Sequence, residues 1–470
     1  MDGHGVLPSR LQHAASNQPA GGHVGLGVNA GQGGNACGCE DVSATALADD
    51  EMLDRLQHAA FNYFLRTANP ENGLVADTTR DGSPSSIAVV GFALSAYVVG
   101  VERGWIEHTD AVQRCLHALR FFWRSDQSGN PHATGYRGFY FHFLDIDRGR
   151  RTWQSELSLI DSALLVAGML TAAAYFTADS AAESELRELA DALYRRVDWR
   201  WAQHDGAGVA HGWKPECGFL NYGWEGYSEA LLLYVLGLAS PTHALTEASF
   251  EAWTVTYQWE NLYGQDFLYA GPLFIHQFSH AWIDFRGIRD RFMREKGSDY
   301  FENSRRATYV QREYATRNPR GFVGYGDDCW GLSAGDGPSV APQTVAGRQQ
   351  PFYGYAARGA PYGPDDGTLA GSATIASLVF APEIVLPAVR TLYAQATRDE
   401  GRLLRASGFN RTVTAPEADG WIANGEFGLD QGIIVLMLEN YRSGLLWQLA
   451  RSCPYIQRGL RRAGFTGGWL

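Results

Sequence analysis

Apolar residues along most of this chain recur at the spacing of one face of an α-helix. The stretch that begins near residue 50 places Met52, Leu56, Ala60 and Phe64 on such a face. Alternation typical of half-buried strands is nearly absent, and "GFYFHFLD" at 138–145, the clearest exception, predicts a short hairpin arm. The pattern therefore indicates an all-α fold. The other predicted helices span residues 85–101, 108–124, 155–177, 183–197, 226–239, 247–258, 272–284, 299–315, 371–381, 384–396, 430–443 and 444–450.

The predicted helices alternate in character along the chain. One set is apolar almost all round, which indicates burial on every side; its members begin near residues 85, 155, 226, 371 and 430. The helices between them carry a charged face, as in "AAESELRELADALYRRV". Alternating buried and half-exposed helices predict two concentric rings. We therefore expect an (α/α)6 toroid of about twelve helices.

Two long loops, at residues 202–224 and 321–367, exceed the usual length of a connection and are rich in Gly and aromatic residues. In a toroid such loops would collect at the N-terminal ends of the inner helices and form a cavity. Residues 1–45 are rich in Gly and Ala without apolar periodicity, which predicts a disordered tail. The toroidal domain is expected over 46–453, followed by a C-terminal tail at 454–470.

Composition excludes several classes of function. The net charge of −12 argues against a partner that is nucleic acid, because such binders usually carry a basic surface. No apolar run is long enough to predict a membrane span, and the first residues lack the pattern of a signal peptide. Phosphate-binding, dinucleotide and nucleophile-elbow motifs are absent, so no cofactor is expected. The aromatic content, 13%, fits either core packing or faces that hold sugar rings.

Acidic residues precede or open the predicted inner helices. They are Glu156 and Asp161, Glu225 and Glu229, Asp366, and Asp430 beside Gln431. Each alone is explained by helix capping or by the positive end of the helix dipole. Together they would place several carboxylates at one end of the fold, where they repel one another. That cost favours a shared site, and glycoside hydrolysis is a reaction that uses paired carboxylic acids.

The stretch "HQFSHAWIDFRG" offers a second type of chemistry. His276, His280 and Asp284 are spaced four residues apart, so on a helix they would share one face. Such a face could bind zinc, or it could be polar lining that hydrogen-bonds a sugar or a neighbouring helix; we favour the lining and expect no metal. Arg286 could orient Asp284. The Gly-rich stretch "GYGDDCWGLSAGDGP" predicts a loop at the cavity rim.

Nine stretches in order along the chain resemble one known family. They are "SSIAVVGFALSAYVVGVERGW", "FYFHFLD", "SELSLIDSALLVAG", "GWEGYSEALLLYVLGLASPTH", "HQFSHAWIDFRGI", "DYFENSRRAT", "YGDDCWGLSAGDGP", "ARGAPYGPDDGTLA" and "GLDQGIIVLMLENYR". Through them, residues 50–450 resemble the glycoamylase-like domain of glycoside hydrolase family 144 and of cyclic β-1,2-glucan synthases. The resemblance implies an (α/α)6 toroid and a hydrolase that acts on a glucan, with β-1,2-glucan the favoured substrate.

The resemblance also implies roles for individual residues. Glu229 falls on the general acid, Glu156 with Asp161 on an essential acidic pair, and Asp430 on the aspartate of an Asp-Gln-Gly motif. One departure from the family pattern is Ile433, where relatives more often carry Pro. The residues expected to contact substrate are Trp224, Glu225, Tyr227, His276, His280, Asp284, Arg286, Trp330, Asp336, Asp366 and Gln431.

Three other functions remain open from the sequence alone. A transglycosylase or cyclising enzyme would use the same cavity, a carbohydrate-binding toroid would keep the aromatic residues without needing the acids, and a metal-dependent enzyme would need the two histidines with Asp284. We expect a monomer. The sequence carries no signal peptide, whereas the family resemblance implies a periplasmic or extracellular location.

Overall fold

The computed structural model describes residues 39–204, 206–339, 341–345, 347–395, 401–413 and 420–470. The chain divides into two compact units, Met1–Arg55 and Leu56–Leu470. The described part of the first unit is helical, and it belongs to the first helix of the chain. Residues 39–45 of the predicted disordered tail at 1–45 are helical, so the prediction is wrong there; residues 1–38 lie outside the described residues, and their disorder stays a prediction.

The second unit is rich in helix, as predicted. In chain order the helices of the described residues are α1 (Cys39–Thr67), α2 (Ile87–Glu102), α3 (His108–Arg124), α4 (Leu159–Tyr175), α5 (Ala181–Arg196), α6 (Trp199–Ala202), α7 (Leu231–Ala239), α8 (Glu247–Thr254), α9 (Arg291–Lys296), α10 (Tyr300–Arg317), α11 (Gly371–Ala376), α12 (Pro382–Ala394), α13 (Arg402–Arg405), α14 (Gly428–Arg442), α15 (Leu445–Ser452) and α16 (Pro454–Arg462).

Helices α2, α4, α7, α11 and α14 are buried along nearly their whole length, as their apolar sequences predict. Two glycines set the approach of α2 and α4: a Cβ atom at Gly91 would lie 2.3 Å from the carbonyl oxygen of Leu164, and one at Gly168 would lie 2.1 Å from that of Gly91. Each of these five helices also packs against an amphipathic helix on its other side, such as α3 on α2 and α5 on α4.

The predicted helix over 272–284 is wrong. The structure has two short 3-10 turns there, Leu273–His276 and Phe278–Ala281, and Asp284 lies beyond both. Gln277, between the two turns, has a φ of −117°, which is outside the range of a regular helix. The four-residue spacing in this stretch therefore does not place its side chains on one α-helical face.

The described residues also contain more strand than predicted, all of it in antiparallel pieces of two to four residues. The predicted hairpin arm at 138–145 is divided between two sheets. The strands are β1 (Ser85–Ser86) with β4 (Phe143–Leu144); a five-stranded sheet of β2 (Gly135–Tyr136), β3 (Phe139–Phe141), β5 (Leu157–Ser158), β7 (Gly212–Lys214) and β8 (Gly218–Phe219); β6 (Val209–Ala210) with β9 (Gly223–Trp224); β10 (Trp259–Leu262) with β11 (Gln265–Leu268); β12 (Ala334–Gly335) with β15 (Ala356–Ala357); β13 (Gln343–Val345) with β14 (Arg348–Gln350); and β16 (Phe409–Asn410) with β17 (Trp421–Ile422).

Most of these strands lie in the loops that precede the buried helices. Strand β1 ends where α2 begins, and β5 ends where α4 begins.

Residues 454–470, which we expected to be a tail, contain α16, and Gly459 packs there against the backbone of Val235 in α7. No helix in the described part of the chain is both long and apolar enough for a membrane crossing.

Candidate active site

The first turn of α4 carries an aspartate that its own N-cap serine holds. The Ser158 hydroxyl accepts a hydrogen bond of 3.3 Å from the Asp161 amide and donates one of 2.5 Å to the Asp161 carboxyl oxygen Oδ2. This is the capping interaction that serine favours at a helix start. Helix capping therefore accounts for the presence of Asp161 at the start of α4. Its carboxyl group also contacts a second side chain, and capping does not explain that contact.

That second side chain is the imidazole of His142, which lies between two carboxyl groups. His142 Nδ1 is 2.9 Å from Glu156 Oε1, and His142 Nε2 is 3.5 Å from Asp161 Oδ2. Burial favours the neutral imidazole, but the charges of Asp161 and Glu156 outweigh it and raise the pKa of His142 to about 9. Burial opposes ionisation of Glu156 as well, yet the hydrogen bond from His142 lowers its pKa to about 2. The pair is an imidazolium and a carboxylate at neutral pH.

A second group of acids lies at the start of α14. Ser372 Oγ, in α11, donates a hydrogen bond of 2.7 Å to Asp430 Oδ1. Burial raises the pKa of Asp430 to about 7, and the charges of Asp336 and Asp77 add to the rise. Burial likewise raises the pKa of Asp77 to about 6, with Asp161 contributing and His142 opposing. These carboxyl groups are close enough to impede one another's ionisation.

Glu229 lies in the turn immediately before α7, and its side chain is half-buried. Its carbonyl oxygen accepts a hydrogen bond of 3.0 Å from Ser279 Oγ, which fixes the backbone at this point. Burial raises the pKa of Glu229 to about 7, against the effect of its own backbone amide, and the negative charge of Asp161 adds to the rise. A large fraction of Glu229 is therefore protonated near neutral pH.

The four predicted catalytic residues influence one another electrostatically, in part through intermediate residues. Asp161 interacts with Glu229 on one side and, through His142, with Glu156 on the other. The link to Asp430 passes through Asp77, which interacts with both aspartates. Such an arrangement contains a protonated carboxylic acid and an ionised carboxylate in one neighbourhood, so it can both donate and accept a proton.

The predicted contacts of His276, His280 and Asp284 with substrate are not supported, because all three side chains are buried. His276 Nε2 lies 3.1 Å from the carbonyl oxygen of Ala270, and His280 Nε2 lies 3.1 Å from Ser304 Oγ. Burial lowers the pKa of His276 to about 4 and that of His280 to about 3, so both are neutral.

The carboxylate of Asp284 forms ion pairs with Arg286, at 2.8 Å, and with Arg451. The guanidinium of Arg286 is therefore engaged with Asp284, as the sequence suggested, and it lies over the ring of Trp447. These contacts hold helix α15 and the 282–286 stretch together. The buried His276, His280 and Asp284 therefore make contacts within the fold, whereas the side chain of Arg286 is 51% exposed and its contact with substrate stays a prediction.

Asp366 and Trp330 are also core residues, contrary to the prediction that they contact substrate. The fully buried carboxylate of Asp366 accepts hydrogen bonds of 2.7 and 2.9 Å from the guanidinium of Arg358. The indole of Trp330 has no exposed surface. Gln431 is buried too, and its amide donates a hydrogen bond of 2.8 Å to the carbonyl oxygen of Arg405.

The remaining predicted contact residues are two aromatic rings and two acids. The ring of Trp224 stacks on His211 with centroids 4.0 Å apart, and Tyr227 stacks on Tyr300; little of either predicted ring is exposed. Glu225 is exposed. Asp336 interacts with Asp430 and forms an ion pair with Arg80, so it belongs to the acid cluster.

Three residues at this site were missed. His142 is the polar residue in the apolar stretch "FYFHFLD", and that contrast could have identified it. Asp77 and Tyr355 lie in irregular loops without a sequence pattern; Tyr355 is 54% exposed and interacts electrostatically with Asp430 and Asp77.

His142, Glu156 and Asp161 also offer ligand atoms within 4.8 Å of one another, as a metal site would. The contacts among the three side chains are those of an ion-pair network, with His142 between the two carboxyl groups.

Comparisons with known proteins agree on one family. A family model named Glycoamylase, described as "Putative glucoamylase", matches residues 221–454. The crystal structure of a Bacteroides uniformis protein with that same description superposes with a TM-score of 0.79 at 30% identity, covering 90% of this chain and 98% of that one. The endo-β-1,2-glucanase of Chitinophaga pinensis, solved with sophorotriose and glucose, gives a TM-score of 0.78 at 27% identity, covering 90% and 99% of the two chains.

A curated protein of Parabacteroides distasonis is also similar to this chain. It is an exo β-1,2-glucooligosaccharide sophorohydrolase (non-reducing end), 28% identical over 465 aligned positions that cover 90% of this chain. The chain spans 59% of the length of that relative.

Proposed function

The chain belongs to the glycoamylase family, and from this membership and the acid cluster we propose that it is a glycoside hydrolase that cleaves β-1,2-linked glucan. Similar proteins support this substrate, since one is a β-1,2-glucooligosaccharide sophorohydrolase and another an endo-β-1,2-glucanase. We further propose that the buried and amphipathic helices form an (α/α)6 double ring. The acids at the starts of α4, α7 and α14 would then lie at one end of the inner ring.

Glu229 is the proton donor in the proposed reaction. As the bond between the anomeric carbon and the glycosidic oxygen breaks, that oxygen takes the proton of the Glu229 carboxyl group. A water molecule forms the new bond to the anomeric carbon and releases its proton to an ionised carboxylate. The observation that carries the proposal is the position of Glu229, half-buried in the turn before α7, where burial and the negative charge of Asp161 raise its pKa to about 7 and keep much of the carboxyl group protonated where an ordinary glutamate would be ionised.

We assign the proton-accepting side of the reaction to the Glu156 and Asp161 pair. His142 supplies the positive charge that keeps negative charge at this pair. The same cation limits how strongly the pair repels the negative charge that develops when Glu229 loses its proton. Asp430 and Asp77 lie beyond this pair and add to the negative potential, which suits the positive charge that develops at the anomeric carbon.

The test is a substrate screen with the purified full-length chain. Linear β-1,2-glucan, β-1,3-glucan, starch and cellulose are incubated separately, and products are resolved by size, with Glu229→Gln as the inactive control. We expect short oligosaccharides from β-1,2-glucan alone. Rings or longer chains would show transglycosylation instead, and products from another glucan only would show that the linkage assignment is wrong.

Two further properties are proposed rather than tested. The family resemblance supports a periplasmic or extracellular location. We also propose that the protein acts as a monomer, which size-exclusion chromatography with light scattering would check.

A further inference from the structure

A basic groove lies apart from the residues of the acid cluster. Its volume is about 770 Å³, within the size range of small-molecule sites, and its lining contains four arginines and two histidines, namely His117, Arg120, Arg124, His132, Arg148 and Arg150. Glu71 and Asp126 are the acids in the lining, so arginines outnumber carboxylates. This excess is unusual in a chain with a net charge of −12.

The guanidinium groups of this groove are mostly not neutralised by the protein. Arg120 is paired with Glu185 through two hydrogen bonds, of 2.7 and 2.5 Å. Arg124, Arg148 and Arg150 have exposed side chains, and none forms an ion pair with a carboxylate of the described residues. Three guanidinium groups that line one groove repel one another unless an anion lies between them.

The backbone of the 145–151 loop, which carries Arg148 and Arg150 of the groove, is held in place by hydrogen bonds. Asn72 Nδ2 donates to the carbonyl oxygen of Ile146 at 2.9 Å, and Asp145 Oδ1 accepts from the Arg148 amide at 2.7 Å. Thr134 Oγ donates to the carbonyl oxygen of Gly149 at 2.8 Å. Because the loop backbone is tied on both sides, ordering it for a ligand costs little conformational entropy.

The opposite wall of the groove is a regular helix. His117, Arg120 and Arg124 lie three and four residues apart on α3, so they share one face. The last carbonyl groups of α3 would repel an anion, but Arg196 donates to those of Phe122 and Trp123 at 2.8 and 3.1 Å. The C-terminal end of α3 is thereby neutralised by a further guanidinium.

We propose that the basic groove binds a phosphate group. Guanidinium groups match the oxygen spacing of phosphate with paired hydrogen bonds, and several of them together favour a doubly charged anion. The phosphate could be free inorganic phosphate or the phosphate of a small phosphorylated sugar. Both sources use the same contacts, and the size of the groove leaves space for a sugar ring next to the phosphate. This site is independent of the proposed hydrolase activity.

The test measures binding to the full-length chain by isothermal titration calorimetry, with inorganic phosphate, glucose 6-phosphate and glucose as probes. We expect saturable binding of the phosphates but not of glucose, and at least a tenfold loss of affinity in Arg148→Ala/Arg150→Ala. Tighter binding of glucose 6-phosphate than of inorganic phosphate would identify a sugar phosphate as the ligand class, whereas equal affinity would identify phosphate itself.

The matched control is Arg291→Ala/Arg317→Ala, which removes the same charge from two helical ion pairs elsewhere. It should bind phosphate like the wild type. Arg124→Ala is a second groove variant, tested because it leaves the loop intact, and it should also lose affinity. The proposal is overturned if phosphate does not saturate the wild type below roughly 10 mM, or if the control loses as much affinity as the groove variants.

Discussion

His142 and Glu156 are joined twice, once through their backbones and once through their side chains. The His142 amide donates a hydrogen bond of 2.9 Å to the carbonyl oxygen of Glu156, and His142 Nδ1 lies 2.9 Å from Glu156 Oε1. The first contact extends the pairing of β3 with β5, so the sheet register sets the side-chain contact. A positive charge is thereby positioned in the acid cluster by the fold itself.

We expect His142→Gln to destabilise the protein in a pH-dependent way. The folded-state pKa of about 9 is raised above the ordinary value, so the stabilisation is fully present below pH 6.5 and is lost as pH rises through 9. The difference in unfolding free energy should be on the order of 2 kcal/mol at pH 6, allowing for partial exposure, and should shrink towards pH 10. Urea unfolding at several pH values measures it. A difference that does not vary with pH would contradict the charged imidazole.

Asp430→Asn should have the opposite effect on stability. The pKa of Asp430, about 7, is raised in the fold, so the native state loses stability as pH rises from about 4 to 7, where the carboxyl group is ionised only in the unfolded state; below pH 4 the group is neutral in both states, and above pH 7 the loss is complete. The variant should therefore be more stable than the wild type at pH 8, by about 1 to 2 kcal/mol, and similar to it at pH 4. Thermal unfolding compares them, with exposed Asp81→Asn as the control that should follow the wild type at both pH values.

Asp366→Asn distinguishes a core residue from a substrate contact. The variant leaves the buried Arg358 guanidinium without its counterion, which should cost roughly 3 to 5 kcal/mol of unfolding free energy. Asp336→Asn is the control: it breaks the ion pair with Arg80 that reaches the surface, so stability should change by less than about 1 kcal/mol. Chemical denaturation measures both variants. If Asp366→Asn were fully stable but had a raised KM, the original prediction of substrate contact would be right.

The helices could be predicted from the sequence because their apolar periodicity is strong. Helix α3 was predicted with its observed ends, and α2 within two residues at its start. The stretch around His276 has the same apolar content but is broken into 3-10 turns, and nothing in its spacing reveals the conformation of Gln277. Strands of two or three residues are too short to show alternation, so β5 and β7 could not be predicted from the sequence.

Most of the acids of the site could be predicted because they lie at, or shortly before, the starts of apolar helices. Glu229 and Asp430 adjoin the starts of apolar helices, where an acid is conspicuous. Asp77 reaches the cluster through tertiary structure, since the Gly428 amide at the start of α14 donates to the carbonyl oxygen of Asp77. Asp366 was misassigned for the same reason: its partner Arg358 lies in an irregular loop, so the buried ion pair has no sequence pattern.

The pH dependence of turnover should report the protonation of Glu229. The pKa of about 7 means that the donor loses its proton as pH rises through 7, so kcat/KM should fall about tenfold for each further pH unit. Initial rates of oligosaccharide release from β-1,2-glucan between pH 4 and 9 provide the profile. Activity that stays constant up to pH 9 would show that the donor is another group or has a different pKa.

The sharpest test replaces Glu229 itself. Glu229→Gln keeps the size and polarity of the side chain but has no acidic proton, so turnover on unactivated glucan should fall roughly a hundredfold to ten-thousandfold while substrate still binds. A substrate whose leaving group needs no protonation, such as an aryl glucoside, should recover part of the rate. Glu225→Gln is the matched control, four residues away and exposed, and it should retain most activity. If Glu225→Gln were the inactive variant, the two roles would be exchanged. If both variants turned over glucan like the wild type, the start of α7 would be structural and the proton donor would have to be sought among Asp77, Asp336 and Asp430.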